Sequence, residues 1–193
     1  MHDPRVVANY ILDRAKEKKL PISNLVLQKL LYFAHAISLT ERKVPLVSGY
    51  FEAWQFGPVH PTVNQVFRRA GSRPIDFRAK AFDPITRLEA DLADLNDSDS
   101  EEICDRVIYQ LRNVSPGQLV DITHAEGGPW HFVVTCAANS SNLGLRIPNR
   151  IIAERHSRLK ISIGSAPRTG EPDEDAPFVG DRPSKNRNTT DRR

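Results

Sequence analysis

The residues that could do chemistry in this chain gather first around His124, His131 and Cys136, with Cys104 upstream and carboxylates close by. Imidazoles and thiols of this kind serve either as zinc ligands or as a Cys–His nucleophile pair. Zinc sites built from local ligands use Cys-x-x-Cys or His-x-x-x-His spacings, which set two ligands on one edge of the metal. Neither spacing occurs here, so no metal is expected. A Cys–His pair meets in space rather than in sequence, so spacing leaves it open, but no local signature supports it. There is no phosphate-cradling glycine loop, no Gly-x-Ser-x-Gly elbow and no nucleotide fingerprint. Catalytic residues and cofactors are therefore not expected.

Lys29 and His35 sit inside the apolar run from Leu25 to Leu39. Their ordinary readings are a snorkelling amine and a hydrogen-bonded, partly buried imidazole. Trp54 and Trp130 lie beside turns rich in proline and glycine. Each either plugs the edge of the core or stands as an anchor for a partner.

The elements that must position these groups read as helices. Asp3 before Pro4 is a good cap, and Val7, Tyr10, Ile11 and Ala15 recur at helical spacing, which predicts a helix to about Lys19. Ser23 or Asn24 caps a second helix whose stripe of Leu27, Leu30, Leu31, Ala34 and Ile37 is widened by Tyr32, Phe33 and Ala36. Such a helix belongs at the centre of a core. Tyr50 to Phe56 reads as one strand or extended segment, and Gly57, Pro58 and Pro61 as a sharp turn before a helix carrying Val63, Val66, Phe67 and Ala70.

Leu88, Leu92 and Leu95 predict a short amphipathic helix, and a Ser98/Glu101 capping box a longer one lined by Ile103, Val107, Leu111 and Val114. A second box, Ser115 with Gln118, starts a helix ending near His124. Trp130 to Ala138 suits a strand at Phe132–Val134 and a helix at Ala137 and Ala138, with helix the expectation. Pro148 opens a last helix bearing Ile151, Ile152, Arg155 and Leu159.

The fold class expected is mainly α: one compact helical domain over residues 1–163, with a single extended segment near 50–56. The tail from Gly164, rich in Pro, Gly and charge, holds too little apolar surface to offset the entropy of ordering and is expected to be disordered. The net charge of +3 is spread along the chain, which disfavours a nucleic-acid partner. Apolar stretches fall well short of the roughly 18 residues that suggest a membrane span. With no leader-like N-terminus, the cytoplasm is the expected compartment, where Cys104 and Cys136 are two thiols.

Four blocks together resemble a known family: VANYILDRA from Val7, LQKLLYFAHAISL from Leu27, FEAWQFGPVHPTV from Phe51 and LVDITHAEGGPW from Leu119. In order and spacing they are similar to the Panacea domain, the family of SocA-like antitoxins and phage-associated GepA-like proteins. The resemblance implies a mainly helical domain that neutralises a toxin encoded beside it by direct protein contact. In SocA-type members it implies an adaptor that delivers the toxin to the ClpXP protease. No catalytic role is implied for any position.

The matching positions divide into a structural set and a partner-facing set. Gln28, Lys29, Leu30, Tyr32, Phe33, Gly57, Pro58, Pro61, Thr123 and Pro129 are expected to build the frame. Glu52, Trp54, Val59, His60, His124 and Trp130 are the candidates for contact with a partner, and Glu52 and His124 could equally satisfy buried groups. The unmatched stretches 72–83 and 139–145, and the tail, would suit a surface tuned to one toxin. The competing readings are a DNA-binding regulator built on the short helices around Ser115 to His124, and a Cys–His hydrolase.

Overall fold

A computed structural model describes residues 1–138 and 145–156. The expectations for residues 139–144, for Leu159, for the boundary at 163 and for the tail lie outside the described residues.

The chain is mainly α, as its periodicity predicts. Helix α1 spans Pro4–Glu17, with the Asp3 carboxylate accepting from the Arg5 backbone N–H at 2.8 Å and Pro4 at the first position. It stops two residues short of Lys19, which adopts a left-handed φ of 55°. Helix α2, Asn24–Ile37, is capped by Ser23 and is the hub of the fold. Leu27, Leu31, Ala34 and Ala36 have no exposure at all, and the helix packs against α1, α4 and α5. Burying each such leucine contributes about 1.5–3 kcal/mol relative to leaving it in water, which is why this apolar helix is central rather than peripheral.

Strand β1, Phe51–Trp54, confirms the extended segment, but it is not alone. It turns at Gln55 and Phe56 into β2, Gly57–Val59, with Trp54 opposite Gly57 and Glu52 opposite Val59. Gly57 and Pro58, expected as the turn, therefore lie in a strand. Pro58 is tolerated because β2 is an edge strand in the order β2-β1-β5, where a missing N–H breaks no ladder. Strand β5, Arg146–Ile147, pairs with the other side of β1. Helix α3, Pro61–Phe67, follows, and a 3-10 turn over Arg68–Ala70 ends at Gly71.

The helix expected around Leu88, Leu92 and Leu95 is absent. In its place Lys80–Phe82 (β3) and Glu89–Asp91 (β4) form an antiparallel hairpin. Pro84 and the side chain of Asp83, which accepts from the Ile85 N–H and the Thr86 hydroxyl, commit the intervening chain to a turn. Helix α4, Ser98–Leu111, starts one residue earlier than expected: Asp97 is the N-cap and Ser98 the first helical residue. With Ser98 inside the helix the Ser98/Glu101 box does not form, and the Asp97 carboxylate accepts from the Ser100 hydroxyl at 2.6 Å and lies 3.0 Å from Nε2 of His2. Val114 lies past the helix end. By contrast, Ser115 and Gln118 make their box in both directions at the start of α5, Pro116–Thr123. Helix α6, Pro129–Ala138, follows the expectation, and α7, Asn149–His156, closes the described chain with Ile152 fully buried. No helix among the described residues is long and apolar enough to cross a membrane.

Candidate functional site

Segments that carry the resemblance come from distant parts of the chain and meet at α2, which touches β2, α3 and α5. Gln28 accepts the backbone N–H of His60 at 2.8 Å through its side-chain oxygen, which ties α2 to the start of α3. One turn earlier, Asn24 donates to the side-chain oxygen of Asn64 at 2.7 Å. Both pairs are buried, where an amide left without a partner would cost about 1–3 kcal/mol, so they fix the register of α3 on α2.

Lys29, one position on, is not a snorkelling amine. It has no exposure, and its ammonium donates to the carbonyl of Pro58 at 3.1 Å. Gly57 presses against it from β2 with a φ of +99°. A Cβ there would sit 2.4 Å from Oγ1 of Thr123 and 3.0 Å from Nζ of Lys29. Both the conformation and the space require glycine. The Thr123 hydroxyl in turn donates to the Val120 carbonyl at 2.8 Å, so α5 presents its last turn squarely to the strand.

Beyond this contact lie the two tryptophans. The Trp130 indole N–H donates to the Trp54 carbonyl at 2.8 Å, and the His124 ring stacks on Trp130 with centroids 3.6 Å apart and 14° between planes. Trp54 directs its own N–H to Glu52 at 2.8 Å. The polar end of each large ring is thus satisfied within the motif, the usual condition for keeping tryptophan in a partly buried place.

A histidine pair lies behind β1. His35 donates from Nε2 to Asn149 at 3.0 Å and accepts the Val47 backbone N–H at Nδ1, so both ring nitrogens are used in the neutral form. Burial drives its pKa down to about 4, against a smaller upward push from Asn149. His60 donates from Nε2 to the Ser48 carbonyl at 2.9 Å, and its Nδ1 has no partner among the described residues. Burial lowers its pKa as well, the bond to Ser48 opposing. The Phe51 ring meets both imidazoles edge-on or tilted, at 5.2 Å from each.

The chemically suggestive residues do not come together. Cys104 is buried in the core, where desolvation pushes its thiol up to about 12, and Cys136 is exposed. Among the described residues no three His, Cys, Asp or Glu side chains are placed to hold a metal ion.

The sequence profile described as "Antitoxin SocA-like, Panacea domain" matches residues 27–131, which run from α2 into α6 and include every contact just described on Gln28, Lys29, Gly57, Thr123 and Trp130. Antitoxin SocA of Caulobacter vibrioides (strain NA1000 / CB15N) is 42% identical over 175 residues, covering 91% of this chain and 93% of that protein. The chain belongs to the SocA-like, Panacea-domain antitoxin family. No solved structure matches it.

Within this Panacea-domain antitoxin the expected site residues fall into two environments. Val59 and His60 are interior, at 6% and 1% exposure, and Trp130 is at 9%. Glu52, Trp54 and His124 are half-buried at the margin. Of the structural set, Gln28, Lys29, Leu30, Tyr32, Phe33, Gly57, Pro58, Thr123 and Pro129 are buried and Pro61 is half-buried. Two buried asparagines, Asn9 and Asn64, carry no expectation from the sequence, and Asn24, a candidate cap, is instead the first residue of α2 and the buried partner of Asn64. Asn9 was detectable in principle as a polar residue inside the apolar stripe of α1, where a buried amide demands a bonding partner.

Proposed function

We propose that this antitoxin neutralises a protein toxin by direct binding, in the cytoplasm, without catalysis and without a cofactor. The observation that carries this reading is how the motif uses its polar groups. Lys29, Gln28, Thr123, Trp54 and Trp130 each direct a side-chain polar atom to a backbone carbonyl, a backbone N–H or another motif side chain. A reacting centre needs groups held toward a substrate; a scaffold spends them on itself. The DNA-binding alternative draws little support from α5, whose sequence PGQLVDIT carries no basic residue.

The test is co-expression with the product of the neighbouring open reading frame, scoring growth and then sizing the tagged, affinity-purified material. Rescue of growth with a stoichiometric complex supports masking. Toxicity that persists with no complex sinks the proposal. Rescue that disappears when ClpXP is deleted assigns the delivery mechanism instead.

A further inference from the structure

Away from the motif, the β3–β4 hairpin adjoins a groove whose wall includes Arg78 and Asp94, the residues that flank its two strands. The hairpin is a presented element, not a loose loop. At its base, buried Asn9 on α1 donates to the Ala79 carbonyl at 2.9 Å and accepts the Ala79 N–H at 2.7 Å. At its tip, Asp83 accepts from Ile85 and Thr86 through its side chain and from Arg87 through its carbonyl, and its own N–H donates to Leu88. From this braced frame Phe82, Ile85 and Leu88 stand out at 61%, 90% and 68% exposure. Three large apolar side chains presented to water from a braced backbone are what a binding surface requires and a core does not.

Both stems of the hairpin enter the wall of an open groove between α1 and α4. Arg78 precedes β3 and Asp94 follows β4, and the two are joined at 2.8 Å. The groove brings together the carboxylates of Asp13, Glu17, Asp94, Glu101, Glu102 and Asp105 over a floor that includes Val6, Tyr10 and Leu95. Among the lining residues Arg14 and Arg78 oppose them, and Lys16 acts on Asp13 from beside the groove. Those two guanidinia are already shared among Asp13, Glu17, Asp94 and Asp105, and Glu101 and Glu102 make no ion pair among the described residues. In a chain whose net charge is +3, this segregation of negative charge calls for positive charge from outside.

We infer that the β3–β4 hairpin and the α1–α4 groove are one docking surface, and that its occupant is a Lys/Arg-rich segment of the protein toxin with apolar side chains beside its charges. The charges lie along the carboxylates and the apolar side chains meet Phe82, Ile85 and Leu88. This rests on the direct-binding reading above and names the surface through which it works.

The probe is the purified toxin obtained from the co-expression experiment, titrated against the full chain at low and at high salt. Replacing the three exposed residues together (Phe82→Ser, Ile85→Ser, Leu88→Ser) should weaken binding by about 30-fold or more, the scale of a lost hot spot, with an unchanged melting curve. Glu101→Gln with Glu102→Gln should weaken binding at low salt and leave it unchanged at high salt, where screening already removes the attraction. Wild-type binding that both variants reproduce, with native melting curves, overturns the surface and leaves the direct-binding reading standing. A wild-type chain that does not bind the toxin at all removes both. A wild-type dimer that the serine variant dissolves, with toxin affinity unaltered, assigns the surface to a second copy of the chain and likewise overturns the inference.

Discussion

The indole N–H of Trp130 donates to the main-chain carbonyl of Trp54, so one motif tryptophan is anchored by the backbone of the other across a separation of 76 positions. The bond closes α6 over the β1–β2 hairpin. Trp130→Phe keeps much of the ring surface and removes the donor, and should cost about 1–3 kcal/mol. Trp130→Ala also empties the volume against His124 and should cost about 3–5 kcal/mol. Urea unfolding of the two variants beside the wild type separates the bond from the packing.

Gly57→Ala should destabilise the fold by more than the ~1 kcal/mol expected of a left-handed φ alone, because the new methyl also meets Thr123 and Lys29. Adding Thr123→Ala removes the nearer obstacle. The double variant should then recover part of the loss, but not the part due to φ. A denaturant-unfolding cycle on the two single variants and the double reads the coupling directly.

Acid should unfold the protein in a defined window. His35 binds its proton in the native state only near pH 4, whereas the unfolded chain takes it near 6.5. Protonation therefore favours the unfolded chain as pH falls between those values, and the stability present above about pH 6.5 should decline by roughly 3 kcal/mol by pH 4. His60 and His156, also depressed by burial, push in the same direction. Thermal melts from pH 7.5 to 4 measure the slope, and His35→Gln should flatten it.

Asn9→Ala leaves both the N–H and the carbonyl of Ala79 without their partner in a buried place. A loss of about 2–4 kcal/mol is expected from two such groups. The hairpin should also become the first segment cut by a broad-specificity protease, well before the helices. Unchanged cleavage there, mapped by mass spectrometry, would show that the base is held by something other than this amide.

The helices were legible where local chemistry suffices. Asp3–Pro4, Ser23 and the Ser115–Gln118 box each act through neighbouring atoms, so the sequence carries the whole cause. The Ser98/Glu101 box does not form because Asp97 takes the N-cap, and the contact of Asp97 with His2, 95 residues away, is not visible in local spacing. The β3–β4 hairpin was illegible for the same kind of reason. KAF and EAD show no apolar alternation, and what sets them in a sheet is the Asp83 turn together with the amide of Asn9 on another helix. At the motif, the family resemblance marked Lys29, Gly57 and Thr123 as parts of the frame. That they meet one another is a property of the folded chain alone.

That meeting has a consequence for how such a protein can diverge. Lys29 and Thr123 both close on Gly57, so a larger residue at 57 is accommodated only with change at its neighbours. Phe82, Ile85 and Leu88 are exposed on the hairpin, so a change there leaves the packing of the frame intact. A chain built this way tolerates change at the hairpin more readily than in the frame beneath it.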